Sequence, residues 1–140
     1  MSTVLWGNVL VHGKVTSGET DHLMLYKHAE KLDSIARALQ LPGFLTICDT
    51  TDQRFNLDQV ALPAGMASTN ELMALRGSWM AAAEAVSYLS QLRDYVVARS
   101  VRFGLISNQQ SQVVAELNDV IGFLKVQGSS AEKFNFSVVT

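Results

Sequence analysis

Both ends of this chain carry strand-like patterns, and helical patterns dominate the sequence between them. Residues 4–15 are rich in valine and leucine, which predicts a strand. Residues 134–138 alternate apolar and polar side chains, which predicts a half-buried strand. A strand at each terminus around a helical middle predicts an α+β fold, dominated by helix, in which the terminal strands pair in a small sheet.

The clearest helix covers residues 21–40. Its apolar residues recur at 4-3-4-3 spacing, which confines them to an arc of about 80° around the helix. Thr20 or Asp21 is placed to cap its start, and Leu41-Pro42-Gly43 ends it because a residue before proline disfavours helix. The apolar stripe consists of Leu25, Ala29, Leu32, Ala36 and Leu39.

A second helical region lies in the middle of the chain. Ser68 and Glu71 form a capping-box pattern, and helical residues continue almost unbroken to Arg99. A single helix of that length would span about 45 Å, which is longer than a small domain is wide. We therefore expect a break at residues 77–78 (Gly-Ser), with the serine capping a further helix that begins at Trp79.

The remaining segments are less regular. Residues 42–48 fit a short helix or a strand, with the pattern leaning toward the helix, and turn and loop residues continue to Gly65. The last helix is expected to start near Ser107 or Asn108 and to stop at Gly128. The chain thus contains about four helices in a single domain of 140 residues.

Charged side chains are scarce and unevenly distributed. They make up 17% of the chain, where about 25% is usual. Residues 59–92 carry only Glu71, Arg76 and Glu84, whereas residues 19–37 carry seven charged side chains. We expect the charge-poor stretch to be buried, by this chain or by a second copy or a partner protein.

Four residues of the charge-poor stretch form the predicted binding surface. Met66, Met73 and Met80 stand seven residues apart, and Trp79 adjoins the last of them. Flexible methionine side chains serve adaptable binding surfaces as well as irregular cores. The residues between them do not sustain a coiled-coil seam, so a core position or a subunit contact is the expected role.

Charge and hydropathy exclude several classes of protein. The formal net charge of −2 and the pI of about 5.8 do not match the basic face of a nucleic-acid-binding domain. No window reaches the roughly 18 apolar residues of a membrane span, and no signal-peptide pattern opens the chain. The single cysteine, Cys48, fits a reducing compartment. These features predict a cytoplasmic protein without nucleic-acid or membrane partners.

The first helix carries the candidate catalytic residues. His22, Tyr26 and Asp33 fall within about 40° on one of its flanks, which suits either the lip of a cleft with a general base or a solvated rim. His22 and His28 are six residues apart, whereas a helical zinc pair uses a spacing of four. No metal site is therefore expected from spacing; only a tertiary contact with His12 would create one.

Cys48 is the remaining candidate for chemistry. A nucleophilic cysteine needs a lowered pKa, usually from a histidine, a helix N-terminus or nearby cations. The carboxylates of Asp49 and Asp52 would instead raise the pKa of Cys48. Leu45 and Ile47 are typical neighbours of a packed thiol. No glycine-rich phosphate-binding motif is present, so no cofactor is predicted.

These patterns favour a non-enzymatic protein-binding or accessory module that self-associates or binds a protein partner. The alternative is a small enzyme or ligand-binding domain with a cleft beside residues 21–40. That alternative would use His22, His28 and Tyr26, together with Cys48. The missing catalytic motif and the scarcity of charge favour the first interpretation.

Overall fold

A five-stranded sheet carries helices on both of its faces in the computed structural model, which describes residues 2–58 and 61–140. The strands are β1 (Val4–Val11), β2 (Lys14–Ser17), β3 (Cys48–Asp49), β4 (Met80–Ala81) and β5 (Lys133–Val139). The helices are α1 (Leu23–Lys27), α2 (Ala29–Ala38), α3 (Thr51–Asp58), α4 (Thr69–Arg76), α5 (Ala82–Ala98) and α6 (Gln110–Gln127). The predicted α+β class dominated by helix is confirmed.

The two terminal strands pair with each other at the centre of the sheet. The order is β2-β1-β5-β3, and β4 joins the same edge of β5 as β3. β1 runs antiparallel to β5 in a register from Val4 opposite Val139 to Leu10 opposite Lys133. β3 is parallel to β5, whereas β4 is antiparallel to it. The predicted pairing of the chain's two ends is therefore confirmed.

The N-terminal segment is a hairpin and not the single strand predicted for residues 4–15. The chain turns at His12 and Gly13, whose φ angles of 51° and 74° lie in the left-handed region. The backbone N–H of His12 donates to the Glu132 carboxylate at 2.6 Å. The turn makes β2 an edge strand beside β1. The prediction of a single strand was wrong because valine-rich segments flank the turn on both sides and look continuous in sequence.

The predicted helix over residues 21–40 is interrupted at His28. α1 ends and α2 begins around this residue, whose backbone angles leave the helical region. The cap position is His22, and neither Thr20 nor Asp21 takes the predicted role. The apolar stripe still faces the core: Leu25, Leu32 and Ala36 are fully buried. Helical periodicity therefore located the buried face but not the break.

The middle of the chain contains more regular structure than predicted. Phe44–Ile47 forms a short 3₁₀ helix that runs into β3. This agrees with the short helix that the sequence pattern favoured for residues 42–48. The first part of the segment predicted as a loop, from Asp49 to Gly65, forms α3 instead. Residues 61–65 belong to no helix or strand, as predicted, and residues 59–60 lie outside the described residues. The Ser68 hydroxyl accepts a hydrogen bond from the Glu71 N–H at 3.3 Å, which confirms the predicted cap of α4.

The helix boundaries farther along the chain are partly as predicted. α4 ends before Gly77, as expected, but α5 begins at Ala82, so Ser78 is not a helix cap. The intervening residues pair with β5 as β4, a tertiary contact that has no local signal. α6 begins at Gln110, two residues later than predicted, and stops at Gly128 with a φ of 61°.

The two faces of the sheet differ in chemistry. Phe134, Phe136 and Val138 of β5 belong to the main core with α2, α5 and α6. The opposite face of the same strand carries Asn135 and Ser137, which are 0% and 5% exposed. This strand is therefore buried on both faces, and the prediction of a half-buried strand is wrong. We name the surface formed by Trp6, Asn8, Asn135 and Ser137 the polar face.

α3 and α4 cover the polar face, and hydrogen bonds link its two buried amides to each other and to the backbone. The Asn8 side-chain N–H donates to Asn135 Oδ1 at 3.1 Å, and Asn135 donates to the Ser78 carbonyl at 3.0 Å. Asp49 accepts the backbone N–H of Ser78 at 2.8 Å. This network connects β1, β3 and β5 to the segment that precedes β4. In the part of the chain that the structure describes, no helix has the length and hydropathy needed to cross a membrane.

We expect Asn135→Leu to lower the free energy of unfolding by about 2 kcal/mol or more, because the Asn8 amide and the Ser78 carbonyl both lose a buried partner. Chemical denaturation measures this change. Asn56→Ala, on the exposed side of α3, is the control and should alter stability by only about 0.5 kcal/mol. A leucine variant as stable as the original chain would contradict a stabilising role for the network.

Candidate functional sites

A cleft of about 390 Å³ opens between β1, the segment after β2, and α6. We name it the histidine cleft because His22 forms part of its wall. Its wall contains both polar and apolar side chains. Its lining consists of Gly7, Gly18, Thr20, His22, Asn118, Asp119, Val120, Gly122, Phe123 and Val126.

Both ring nitrogens of His22 face oxygen atoms. Nδ1 lies 3.0 Å from the Leu5 carbonyl oxygen, and Nε2 lies 2.7 Å from Oδ2 of Asp119. A carbonyl oxygen only accepts hydrogen bonds, so Nδ1 carries a hydrogen. The contact between Nε2 and the Asp119 carboxylate needs one more hydrogen, which lies between these two atoms. The imidazole is 4% exposed, whereas the Asp119 side chain is 55% exposed. His22 can act as a general base only if Asp119 moves away from Nε2.

A second carboxylate of α6 holds the start of α1. Glu116 accepts the backbone N–H groups of Met24 at 3.2 Å and Leu25 at 3.0 Å. These are unsatisfied donors at a helix start, so the carboxylate supplies the cap that the local sequence lacks. Together with Asp119, one turn away, it fastens α1 to α6. This arrangement gives His22 a structural role at the wall of the cleft.

Sequence reasoning missed both α6 carboxylates. Asp119 is 97 residues from His22 along the chain, and this separation hides the contact. The available signal was their spacing of three, which puts Glu116 and Asp119 on one side of α6. That spacing is also typical of an ordinary solvated helix face, so it does not predict which residues the two carboxylates contact.

The other candidates of the first helix lie outside the histidine cleft. Tyr26 is 39% exposed and is not part of the cleft lining. His28 contacts Gln109 Oε1 through Nε2 at 2.8 Å, and its ring meets Phe103 edge-on. Asp33 is buried, where it accepts the Leu45 N–H and pairs with Arg37 at 2.9 Å. The structure therefore does not bring these residues together with His22.

Cys48 is a packed thiol. Its Sγ donates to the Phe44 carbonyl at 3.4 Å. Burial, and secondarily the Asp33 carboxylate, raises the pKa of Cys48 from 9.0 to about 12. Burial also raises the pKa of Tyr88 above its ordinary range, with smaller contributions from Cys48 and Asp33. A thiol with this pKa is protonated at neutral pH, which does not suit a nucleophile.

The histidines do not converge on a metal-binding arrangement. Across residues 2–58 and 61–140, no three His, Cys, Asp or Glu side chains lie close enough to hold an ion. His12 stands at the exposed hairpin turn. Its backbone N–H donates to the carboxylate of Glu132, which is not a residue of the first helix.

The predicted binding residues are largely packed within the chain itself. Met73 is 3% exposed, so its side chain is unavailable to a partner. Trp79 is half-buried, and its indole N–H donates to the Met73 carbonyl at 2.9 Å. Met80 packs against the main core and Met66 is half-buried. Much of the charge-poor stretch is thus covered by this chain.

A shallow groove of about 320 Å³ nevertheless remains along the first half of α5. We name it the apolar groove. Met80 is its one member from the predicted surface, and Glu84 places a carboxylate on it. Its lining consists of Leu41, Pro42, Met80, Ala83, Glu84, Ser87, Tyr88 and Gln91.

Two aliphatic side chains stand fully in solvent on the connection between α5 and α6. Leu105 and Ile106 are 99% and 100% exposed. We name the connection, residues 101–109, the apolar loop. Phe103, two residues before the tip, is completely buried and anchors the loop in the core. In the sequence, Val101, Phe103 and Leu105 alternate with other residues, which fits a short strand or a linker and does not predict an exposed tip.

Hydrogen bonds hold the apolar loop in one conformation. Arg102 donates through Nε to the Gly104 carbonyl at 3.0 Å and through Nη2 to the Leu105 carbonyl at 3.3 Å. Asn108 accepts the Phe103 N–H at 3.0 Å, and the Gln109 N–H donates back to the Phe103 carbonyl. Each bond closes the loop on itself. These bonds favour one conformation of the tip within a single copy of the chain.

Comparison of the chain with protein-family models, with curated proteins and with solved structures found no match. Function is therefore argued from the geometry of these sites alone.

The buried thiol and phenol predict a loss of stability at alkaline pH. Between pH 9 and 12 the unfolded chain releases the Cys48 proton while the folded chain retains it, so unfolding becomes more favourable as pH rises. We expect the thiol to lower the free energy of unfolding by about 2 kcal/mol between pH 9 and 11. Urea denaturation across this range measures the effect.

Cys48→Ala is the matched variant for this measurement. It removes the titrating thiol, so its stability should decline less steeply above pH 9, and adding Tyr88→Phe should flatten the decline further. Equal pH dependence in the original chain and both variants would show that neither group has a raised pKa in the folded state.

Proposed function

We propose that this chain is a protein-binding module that self-associates, with the apolar loop of one copy seated in the apolar groove of another. The complete exposure of Leu105 and Ile106 on an ordered loop carries the proposal. Exposed aliphatic side chains are ordinary when scattered, but two adjacent ones on a braced tip resemble the anchors that fill pockets at interfaces.

Order in the free loop favours insertion into a pocket. Association costs free energy when side chains and loops must be fixed, and a preformed loop reduces that cost. Phe103 and the Arg102 hydrogen bonds supply this order within one copy. Full burial of two aliphatic side chains contributes about 3–6 kcal/mol before the costs of association. A weak, reversible contact is the expected result.

Charge complementarity supports a second copy as the occupant. Arg102 lies at the base of the apolar loop, and Lys31 beside it donates to the Arg102 carbonyl. Glu84 lines the apolar groove and is one of three charged residues in the stretch 59–92. Seating the loop tip in the groove brings opposite charges together around an apolar centre, which favours this orientation over the reverse.

The proposed contact joins two different surfaces of the chain. The groove lies along the first half of α5 and the loop follows its last residue, so each copy offers one of each. Such a head-to-tail contact closes into a ring or continues into a chain of copies. The free thiol of Cys48 supports assembly in a reducing compartment such as the cytoplasm.

Sedimentation at protein concentrations up to about 1 mM tests the proposal, since that range detects about 4 kcal/mol of association free energy. We expect the original chain to self-associate. The double variant Leu105→Ser/Ile106→Ser should lose association by at least about tenfold, because each lost anchor is worth more than 1.4 kcal/mol. Leu75→Ser, which changes an exposed leucine elsewhere, is the control.

Mixing two variants tests which surfaces meet. Ala83→Arg fills the groove and repels Arg102, whereas Ala115→Arg adds the same charge to an exposed site on α6 as a control. The loop variant and the groove variant should each stay monomeric alone but form a complex together, because each retains the surface that the other lacks. A monomeric original chain, or no complex in the mixture, would overturn the proposal.

A further inference from the structure

The polar face of the sheet lines a third cavity, separate from the histidine cleft and the apolar groove. It has a volume of about 240 Å³ and lies between the first hairpin, β5 and the roof formed by α3 and α4. Trp6, Asn8 and Ser137 contribute the sheet side of its wall, and Asp52 contributes from α3. We name it the polar cavity. Ligand pockets for drug-sized molecules begin near 300 Å³, so this one suits a smaller molecule.

The hydrogen-bond network fixes which end of the Asn8 amide faces the cavity. Asn135 must direct its amino group at the Ser78 carbonyl, which only accepts, so its Oδ1 faces Asn8. Asn8 must then direct its own amino group at Asn135. The Asn8 carbonyl oxygen is left to accept a hydrogen bond at a residue that is only 1% exposed.

Ser137 places a second free polar atom in the same wall. The side chain is 95% buried, at 5% exposure, and its hydroxyl makes no hydrogen bond to any residue that the structure describes. No side-chain nitrogen or oxygen sealed away from solvent lacks a partner in that part of the chain, so the hydroxyl is reached through the cavity. Water in the cavity can pair with this hydroxyl, and a ligand that displaces the water must replace its hydrogen bond.

The remaining polar groups make the cavity rich in acceptors and negative in charge. Asp52 lies within the wall, where Thr69 and Asn56 donate to its carboxylate at 2.9 and 3.2 Å. Glu19 adds a second carboxylate. None of the described residues that line the cavity is Lys, Arg or His. The complementary ligand donates hydrogen bonds and carries positive charge.

Trp6 adds a recognition surface for a cation. Its indole ring lines the cavity, and its Nε1–H is occupied by Asp21 at 2.7 Å, which fixes the ring and brings another carboxylate to its edge. Tryptophan is the side chain that attracts a cation most strongly through its ring face. We propose that the polar cavity is a binding site for a small organic ammonium ion. Its N–H groups donate to Asn8 Oδ1, the Ser137 hydroxyl and the Asp52 carboxylate, and the Trp6 ring attracts its positive charge.

Titration with ethanolammonium, followed by backbone amide NMR, tests the site. We expect saturable shifts at the amides of Asn8, Ser137 and Trp6. Acetate and glycerol are small polar controls and should produce no saturable shift, since acetate carries the wrong charge and glycerol carries none. Equal binding of glycerol would indicate a neutral polyol site, and no saturable binding of the ammonium would indicate a cavity for water; either result would overturn the proposal.

Removal of charge identifies the recognition groups. Asp52→Asn and Glu19→Gln each remove a carboxylate, and we expect Asp52→Asn to weaken ethanolammonium binding by at least about tenfold. Glu30→Gln, an exposed carboxylate on α2, should leave binding unchanged. Glu19 is exposed, so its variant retains the fold even if Asp52→Asn loosens α3. Unchanged affinity in both cavity variants would rule out carboxylate recognition.

Ser137→Ala separates a ligand-binding role from a structural one. Because the hydroxyl has no described partner, we expect the alanine variant to be at least as stable as the original chain in thermal unfolding without ligand. Its ethanolammonium affinity should fall by about threefold or more, since a hydrogen bond is lost. A variant that is less stable and binds equally well would assign the hydroxyl to the fold. Neither measurement depends on the apolar loop, so failure of the ligand proposal can be distinguished from failure of the self-association proposal.

Discussion

The pairing of β1 with β5 is the contact on which the rest of the structure depends. These strands join residues near the two ends of the chain and provide the centre of the sheet, to which β2, β3 and β4 are added at the edges. Every helix contacts this sheet or packs on a helix that does. Phe134 and Phe136 of β5 lie edge-on to each other, and Phe44 packs against Phe136 from the 3₁₀ helix.

β5 also explains why the molecule has two kinds of interior. Phe134, Phe136 and Val138 enter an aliphatic and aromatic core, whereas Asn135 and Ser137 enter a polar layer beneath α3 and α4. In an apolar core the side chains need only to fit together in shape. In a layer of amides and hydroxyls each polar group also needs a hydrogen-bond partner. Among the residues that the structure describes, the Asn8 side-chain oxygen and the Ser137 hydroxyl have no protein partner, so this layer can offer them to water or a ligand in the polar cavity.

Local patterns in the sequence predicted the elements whose signals are local. The stripe from Leu25 to Leu39, the Ser68 cap and the Gly128 stop depend on residues within a few positions of one another. The turn at His12, β4 and the double burial of β5 depend on partners far along the chain. Asn135 and Ser137 resemble a solvated face in sequence because alternation cannot distinguish water from a polar roof.

The candidate sites divide in the same way. His22 was singled out from sequence, but its partners on α6 were not, and they change what its ring can do. Leu105 and Ile106 were missed because exposure of a loop tip is a tertiary property.

The position of β5 in the chain has a consequence for folding during synthesis. Of the five strands, β5 leaves the ribosome last, yet it occupies the middle of the sheet. Closing a loop between Val4 and Val139 costs about 4 kcal/mol of chain entropy, beyond a constant, before the first contact repays it. Helices formed earlier would hold their apolar stripes exposed until that strand arrives. The nascent chain therefore passes through a period in which its core residues are exposed and prone to aggregation.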